Sequence, residues 1–106
     1  MRLKWTVEQD VLTIYPEGDL DMVSARVVKE TVDNLLYTRI GVKQLHVNLK
    51  GIRFIDSSGL GMLINCYKYM QGRQGTMLLN EASPAVYRLL ELSGMKKLMP
   101  ILKQEI

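Results

Sequence analysis

The chain has 106 residues, 47% of them hydrophobic and 24% charged, with a formal net charge of +3. That length predicts a single domain spanning residues 1–106 with a buried core, and the apolar fraction excludes a disordered segment. The charge is too mild, and the basic residues too scattered among the aromatics, for a nucleic-acid surface. No apolar run reaches membrane-spanning length, and one cysteine, Cys66, excludes an internal disulfide and fits a reducing cytoplasm.

Leu3, Trp5 and Val7 alternate with polar residues and predict a half-buried strand. Glu8-Gln9-Asp10 is a polar turn, and Val11-Leu12-Thr13-Ile14-Tyr15 is its hairpin partner. Pro16 is expected to end that strand and Gly18 to open a loop, Gly18-Asp19-Leu20-Asp21. Asp21 then stands where a helix N-cap belongs. Behind it Ala25, Val28, Val32, Leu35 and Leu36 recur at helical spacing, with Arg26, Lys29, Glu30 and Asp33 opposite. A third strand carries Leu45, Val47 and Leu49, and Ile52 to Ile55 lead into a second helix whose face is predicted to be Leu60, Leu63, Ile64 and Tyr67. Gly72-Arg73-Gln74-Gly75 ends it. Residues 76–79 make a short strand, Ser83-Pro84 starts a third helix buried through Val86, Leu89 and Leu90, and Gly94 stops it. Residues 98–102 suggest a last strand. The order predicts an α/β fold: a mixed, mostly parallel sheet of four to five strands, with three helices and an N-terminal β-hairpin.

The stretch that carries chemistry is Phe54-Ile55-Asp56-Ser57-Ser58-Gly59-Leu60-Gly61-Met62. Asp56, Ser57 and Ser58 can each cap the helix that follows, which places two hydroxyls at the positive end of its dipole. A phosphate attached there is stabilised by the helix. Gly59 and Gly61 lack side-chain bulk and open the backbone to close approach. Partners of open α/β sheets gather at the carboxyl ends of the strands. Asp21 and Ser57 therefore share one surface if the strands before them are neighbours.

Enzymatic readings fit poorly. Asp19-Leu20-Asp21-Met22-Val23 superficially matches a phosphate-transferring aspartate motif, but a lone match on so short a scaffold is weak. No glycine stands two residues before Ser57 or Ser58, as a nucleophile elbow requires. The sole histidine, His46, falls mid-strand, where a strand residue with a local hydrogen bond is the simpler reading. Cys66 reads as a packed thiol. Met62, beside the motif, is expected at the partner surface.

Residues 54–61 resemble the signature of the STAS domain, specifically of the bacterial anti-sigma factor antagonists. Gly18-Asp19-Leu20-Asp21 resembles the family's Gly-Glu-Leu-Asp segment, with Asp19 in place of glutamate. Gly72 to Gly75 resembles the turn after its motif helix. Ser83-Pro84-Ala85-Val86-Tyr87-Arg88-Leu89-Leu90 with Ser93-Gly94 resembles its third helix and exit. The sporulation-type antagonist is nearest, with the general-stress type its rival. The resemblance implies a non-enzymatic cytoplasmic protein that needs no cofactor or metal and binds neither nucleic acid nor membrane. Its implied partner is an anti-sigma factor that is also an ATP-dependent serine kinase. Binding it releases a sigma factor, and a metal-dependent serine/threonine phosphatase reverses the phosphorylation. The implied acceptor is Ser57, with Ser58 the alternative. The implied partner surface is Asp19, Asp21, Asp56, Ser57, Ser58, Gly59, Leu60 and Met62. Relatives carry a further amphipathic helix beyond the point that corresponds to Ile106, and the resemblance implies that here it is either absent or a rudimentary tail. The other reading of the same resemblance is a kinase-independent binding or scaffold module, stress-sensing or nucleotide-binding; the sequence holds no Gly-x-x-x-x-Gly-Lys loop.

Overall fold

The computed structural model describes residues 1–105. Its strands are β1 (Arg2–Glu8), β2 (Val11–Leu20), β3 (Gln44–Asn48), β4 (Ile52–Ile55), β5 (Thr76–Ala82) and β6 (Ile101–Lys103). The helices are α1 (Met22–Thr38), α2 (Ser57–Gly72) and α3 (Pro84–Leu92), with a 3₁₀ turn at Met95–Lys97. The strand order is β1-β2-β3-β5-β6, and β4 pairs with β2 beyond the end of β3. Only β1–β2 is antiparallel; the other pairs are parallel.

The hairpin forms where its alternation predicts, turning at Gln9 with φ of 55°. Leu12 and Ile14 on β2, Leu45 and Val47 on β3, and Met77 and Leu79 on β5 fall in register and are all buried. α1 adds Ala25, Val28, Val32, Leu35 and Leu36 to this core, the stripe its sequence predicts. α3 starts at Ser83, whose hydroxyl accepts the Val86 N–H at 3.3 Å, and buries Val86 and Leu90 over β4.

The sheet has six strands rather than four or five. Ile52–Ile55 pairs along the far end of β2 as a strand in its own right. The last strand is shorter than expected: Leu98 follows the 3₁₀ turn, and pairing starts only at Ile101. Pro16 does not end β2, which runs on to Leu20. β3 pairs with β2 as far as Ile14, and pairing with β4 begins at Gly18. The Gly18 N–H donates to the Gly51 carbonyl at 2.9 Å, so alternation turns the Pro16 nitrogen to the same side, into the gap between β3 and β4. No partner asks for an N–H there, which is where a strand tolerates proline. Gly51 fills the same gap: a Cβ on it would lie 2.8 Å from Glu17 Cγ and 3.0 Å from the Pro16 oxygen.

Candidate functional site

The ends of β2 and β4 lie side by side. Leu20 pairs with Ile55, and the Asp56 N–H donates to the Leu20 carbonyl at 3.2 Å. Each strand then gives way to a helix through an aspartate. Asp21 caps α1: its carboxylate accepts the Ser24 N–H at 3.0 Å, and its own N–H donates to Ser24 Oγ at 2.9 Å. That Ser24 N–H, seconded by the hydroxyl, holds the Asp21 carboxyl below the usual carboxylate range. Asp56 caps α2 by accepting the Gly59 N–H at 3.0 Å. Asp21 and Ser57 thus share one surface, as expected if their strands are neighbours, and β4 is the strand that joins them. Two helix N-termini, each positive in its dipole, open beside two carboxylates.

Ser57 is the first residue of α2 and is exposed, and Ser58 beside it is half-buried. Of the three residues able to cap, Asp56 does so; the two hydroxyls stand in the first turn. Asp19 lies within β2 rather than in a loop, opposite Phe54, with its carboxylate 3.6 Å from Arg53 Nε. Both side chains are exposed, so the pair contributes little to stability. Leu60 is half-buried against the core.

Two expected surface residues belong to the interior. Met62 is buried, and the Cys66 thiol contacts its sulfur at 3.7 Å. The buried face of α2 is Gly59, Met62, Leu63, Cys66 and Met70, about one residue round from the predicted one. Gly59 makes the difference: a Cβ there would stand 2.5 Å from the Leu20 carbonyl oxygen and 2.8 Å from Ile55 Cγ2. Its missing side chain admits the chain's own β2–β4 junction, not a partner. Gly61 is open, with nothing within 4 Å of such a Cβ. Cys66 is the packed thiol expected, and burial pushes its pKa up to about 12. His46 lies in β3, its Nε2 3.3 Å from Gln44 Oε1.

Sequence reasoning missed the apolar residues that frame the site. Met22 and Val23 open α1 and are 66% and 71% exposed, and Phe54 on β4 is 49% exposed. Val23 carried a signal: it is out of phase with the stripe that starts at Ala25. Met22 and Val23 directly follow the cap Asp21, and Phe54 precedes the cap Asp56 by two residues, so exposed apolar side chains accompany both caps. Among the described residues, no helix is long and apolar enough to cross a membrane.

The STAS domain profile matches residues 2–105, and the chain belongs to the STAS domain family. It is similar to the anti-sigma F factor antagonist of Paenibacillus polymyxa, 31% identical over 106 residues, covering 100% of this chain and 90% of the relative. A putative anti-sigma factor antagonist from Thermotoga maritima shares the fold with a TM-score of 0.86 at 23% identity, covering 95% of this chain and 86% of that one. The Bacillus cell fate determinant SpoIIAA in its phosphorylated form shares it with a TM-score of 0.73 at 20% identity, covering 94% and 90%.

Proposed function

We propose that this protein is an anti-sigma factor antagonist: a binding protein, not an enzyme, that docks an anti-sigma factor through the Asp21–Ser57 surface and so frees a sigma factor in the cytoplasm. The observation that carries the reading is the exposed Ser57 at the N-terminus of α2, beside the two capping aspartates, with exposed Met22, Val23 and Phe54 next to those caps in the chain. The likeness to the anti-sigma F factor antagonist of Paenibacillus polymyxa supports it, and so does the existence of a phosphorylated member of the fold.

In this reading the anti-sigma factor is also a serine kinase. Ser57 Oγ attacks the γ-phosphorus of ATP, ADP leaves, and the hydroxyl proton passes to a base on the kinase. A metal-dependent phosphatase hydrolyses the ester to free serine and inorganic phosphate. The phosphate brings about −1.5 to −2 charges to a surface that already holds Asp21 and Asp56. The α2 N-terminus tolerates it, so the change falls on the docked partner, where a loss of about 3 kcal/mol weakens binding more than a hundredfold.

The test is intact and peptide mass spectrometry after incubation with an anti-sigma kinase of the F or B type and ATP, paired with calorimetric titration. One phosphate on Ser57, none on Ser57→Ala, and retained binding by that variant are the expected results. Ser57→Asp should unfold at nearly the unmodified temperature yet bind at least tenfold more weakly. Phosphate on Ser58 moves the acceptor, and binding without any phosphate favours a kinase-independent scaffold.

A further inference from the structure

β1 is one edge of the sheet, and its seven residues are long for an edge; β6 at the other edge has three. Which of its backbone groups are free follows from β2. The Gly18 N–H points away from β1 to Gly51, and the Asp10 carbonyl accepts the Lys43 and Gln44 N–H groups on that same side. Alternation therefore turns Val11, Thr13, Tyr15 and Glu17 toward β1, where they pair with Glu8, Thr6, Lys4 and Arg2. The N–H and C=O groups of Leu3, Trp5 and Val7 face outward with no strand beside them. Natural sheets block such edges with charge, proline or a bulge. β1 has no proline or bulge, and its charged residues sit in a pattern that matches itself.

We infer that β1 is the contact surface for a second copy of this chain, in antiparallel β1–β1 pairing centred on Trp5. In that register Arg2 faces the partner's Glu8 and Glu8 the partner's Arg2. Lys4 faces the partner's Thr6, Leu3 the partner's Val7, and Trp5 the partner's Trp5. The outward groups of Leu3, Trp5 and Val7 meet their counterparts, so the ladder parity is correct as well as the charge. The two faces also sort. Leu3, Trp5 and Val7 lie opposite Pro16, Ile14 and Leu12, on the buried side of β2, and make an apolar row against an apolar row. Trp5 is 41% exposed, with the Arg39 guanidinium 5.0 Å from its ring centre, and the pairing would cover it. Arg2 and Glu8 make no ion pair among the described residues. Sliding the strands one pair toward the N-terminus sets Lys4 against Lys4; sliding them the other way strands Arg2 and Leu3. The contact is only about 24 Å long at 3.4 Å per residue, so the dimer is a weak one, formed below about 1 mM. The inference is independent of whether Ser57 accepts a phosphate.

Sedimentation equilibrium of the unmodified protein from about 5 μM to 1 mM tests this, against a monomer mass of 12.1 kDa. The expected result is a rise toward twice that mass. Arg2→Glu and Glu8→Arg should each weaken the dimer roughly tenfold by setting like charges face to face. The double variant Arg2→Glu/Glu8→Arg should restore it, since it rebuilds both pairs in reverse. Circular dichroism melts check that each variant folds. Amides of Leu3, Trp5 and Val7 should exchange more slowly as concentration rises. A mass of 12.1 kDa at 1 mM overturns the inference. So does a dimer indifferent to the single reversals, or one that the double variant leaves weak.

Discussion

Gly59→Ala separates a glycine that serves the fold from one that serves a partner. Alanine in place of glycine within a helix gains about 1 kcal/mol of intrinsic propensity. Against this, the new Cβ meets the Leu20 carbonyl oxygen at 2.5 Å, Ile55 Cγ2 at 2.8 Å and Leu20 Cγ at 3.1 Å. The first is backbone in the pair that ties β2 to β4, and the same oxygen accepts the Asp56 N–H. It cannot retreat without loosening both helix caps, so the overpacking cost belongs at the upper end, about 3 kcal/mol. The net loss is about 2 kcal/mol, a fall in melting temperature of roughly 8–15 °C for a domain of this size. Gly61→Ala is the control: its Cβ enters open space, the propensity gain is unopposed, and the melting temperature should rise by a few degrees. Thermal unfolding by circular dichroism reads both. A Gly59→Ala protein that melts with the unsubstituted one but has lost its partner would refute the packing argument and return Gly59 to the interface.

Asp21→Asn keeps a capping side chain and should leave the neutral-pH melting temperature nearly unchanged, whereas Asp21→Ala should lower it by a few degrees. The Ser24 N–H lowers the folded pKa of Asp21, so its stabilisation is present above the unfolded value, near pH 4, and lost as pH falls through the depressed one. Asn at this position should therefore flatten the acid limb of a stability–pH curve measured in urea. Cys66 titrates near 12 when folded and near 9 when unfolded, so its contribution is complete below pH 9 and declines above it. Iodoacetamide at pH 8 should label Cys66 only in denaturant; rapid native labelling would place the thiol at the surface. Arg73 donates to the Leu36 carbonyl at 3.0 Å and the Arg39 carbonyl at 2.9 Å, closing the end of α1. Lysine cannot span both, and Arg73→Lys should lose about 1–2 kcal/mol in urea titrations.

The hairpin, the α1 stripe and the starts of α1 and α3 were legible because alternation, helical spacing and caps are local signals. The interrupted partner of β2 was not. β4 is four residues long with both ends buried and Arg53 and Phe54 exposed, a pattern with no period of two. Pro16 looked like a terminator because sequence cannot show that its nitrogen falls between two strands. The face of α2 slipped by a residue because Gly59 offers no side chain to count, while Leu60 and Ile64 count heavily yet only half-bury. One residue on a helix is about 100°, enough to move Met62 from surface to core. The pairing of Asp21 with Ser57 survived all of this, since each lies at the start of a helix that follows a strand.

That one strand pair, Leu20 with Ile55, explains how the surface can hold a switch without endangering the fold. It sets two N-caps beside each other, so the site concentrates carboxylates and orphan N–H groups together. A phosphate on Ser57 would be drawn to the α2 terminus and repelled by Asp56 and Asp21. Those effects oppose each other within the chain. Ser57 is exposed, so the phosphate displaces no buried group, and the core contacts of α2 through Leu63, Cys66 and Met70 lie along its other face. A partner seated on Met22, Val23 and Phe54 has no such compensation: it would have covered a neutral hydroxyl and must now desolvate a dianion. The asymmetry between an indifferent fold and a sensitive interface is what a phosphorylation switch requires, and here it arises from where two aspartates cap two helices.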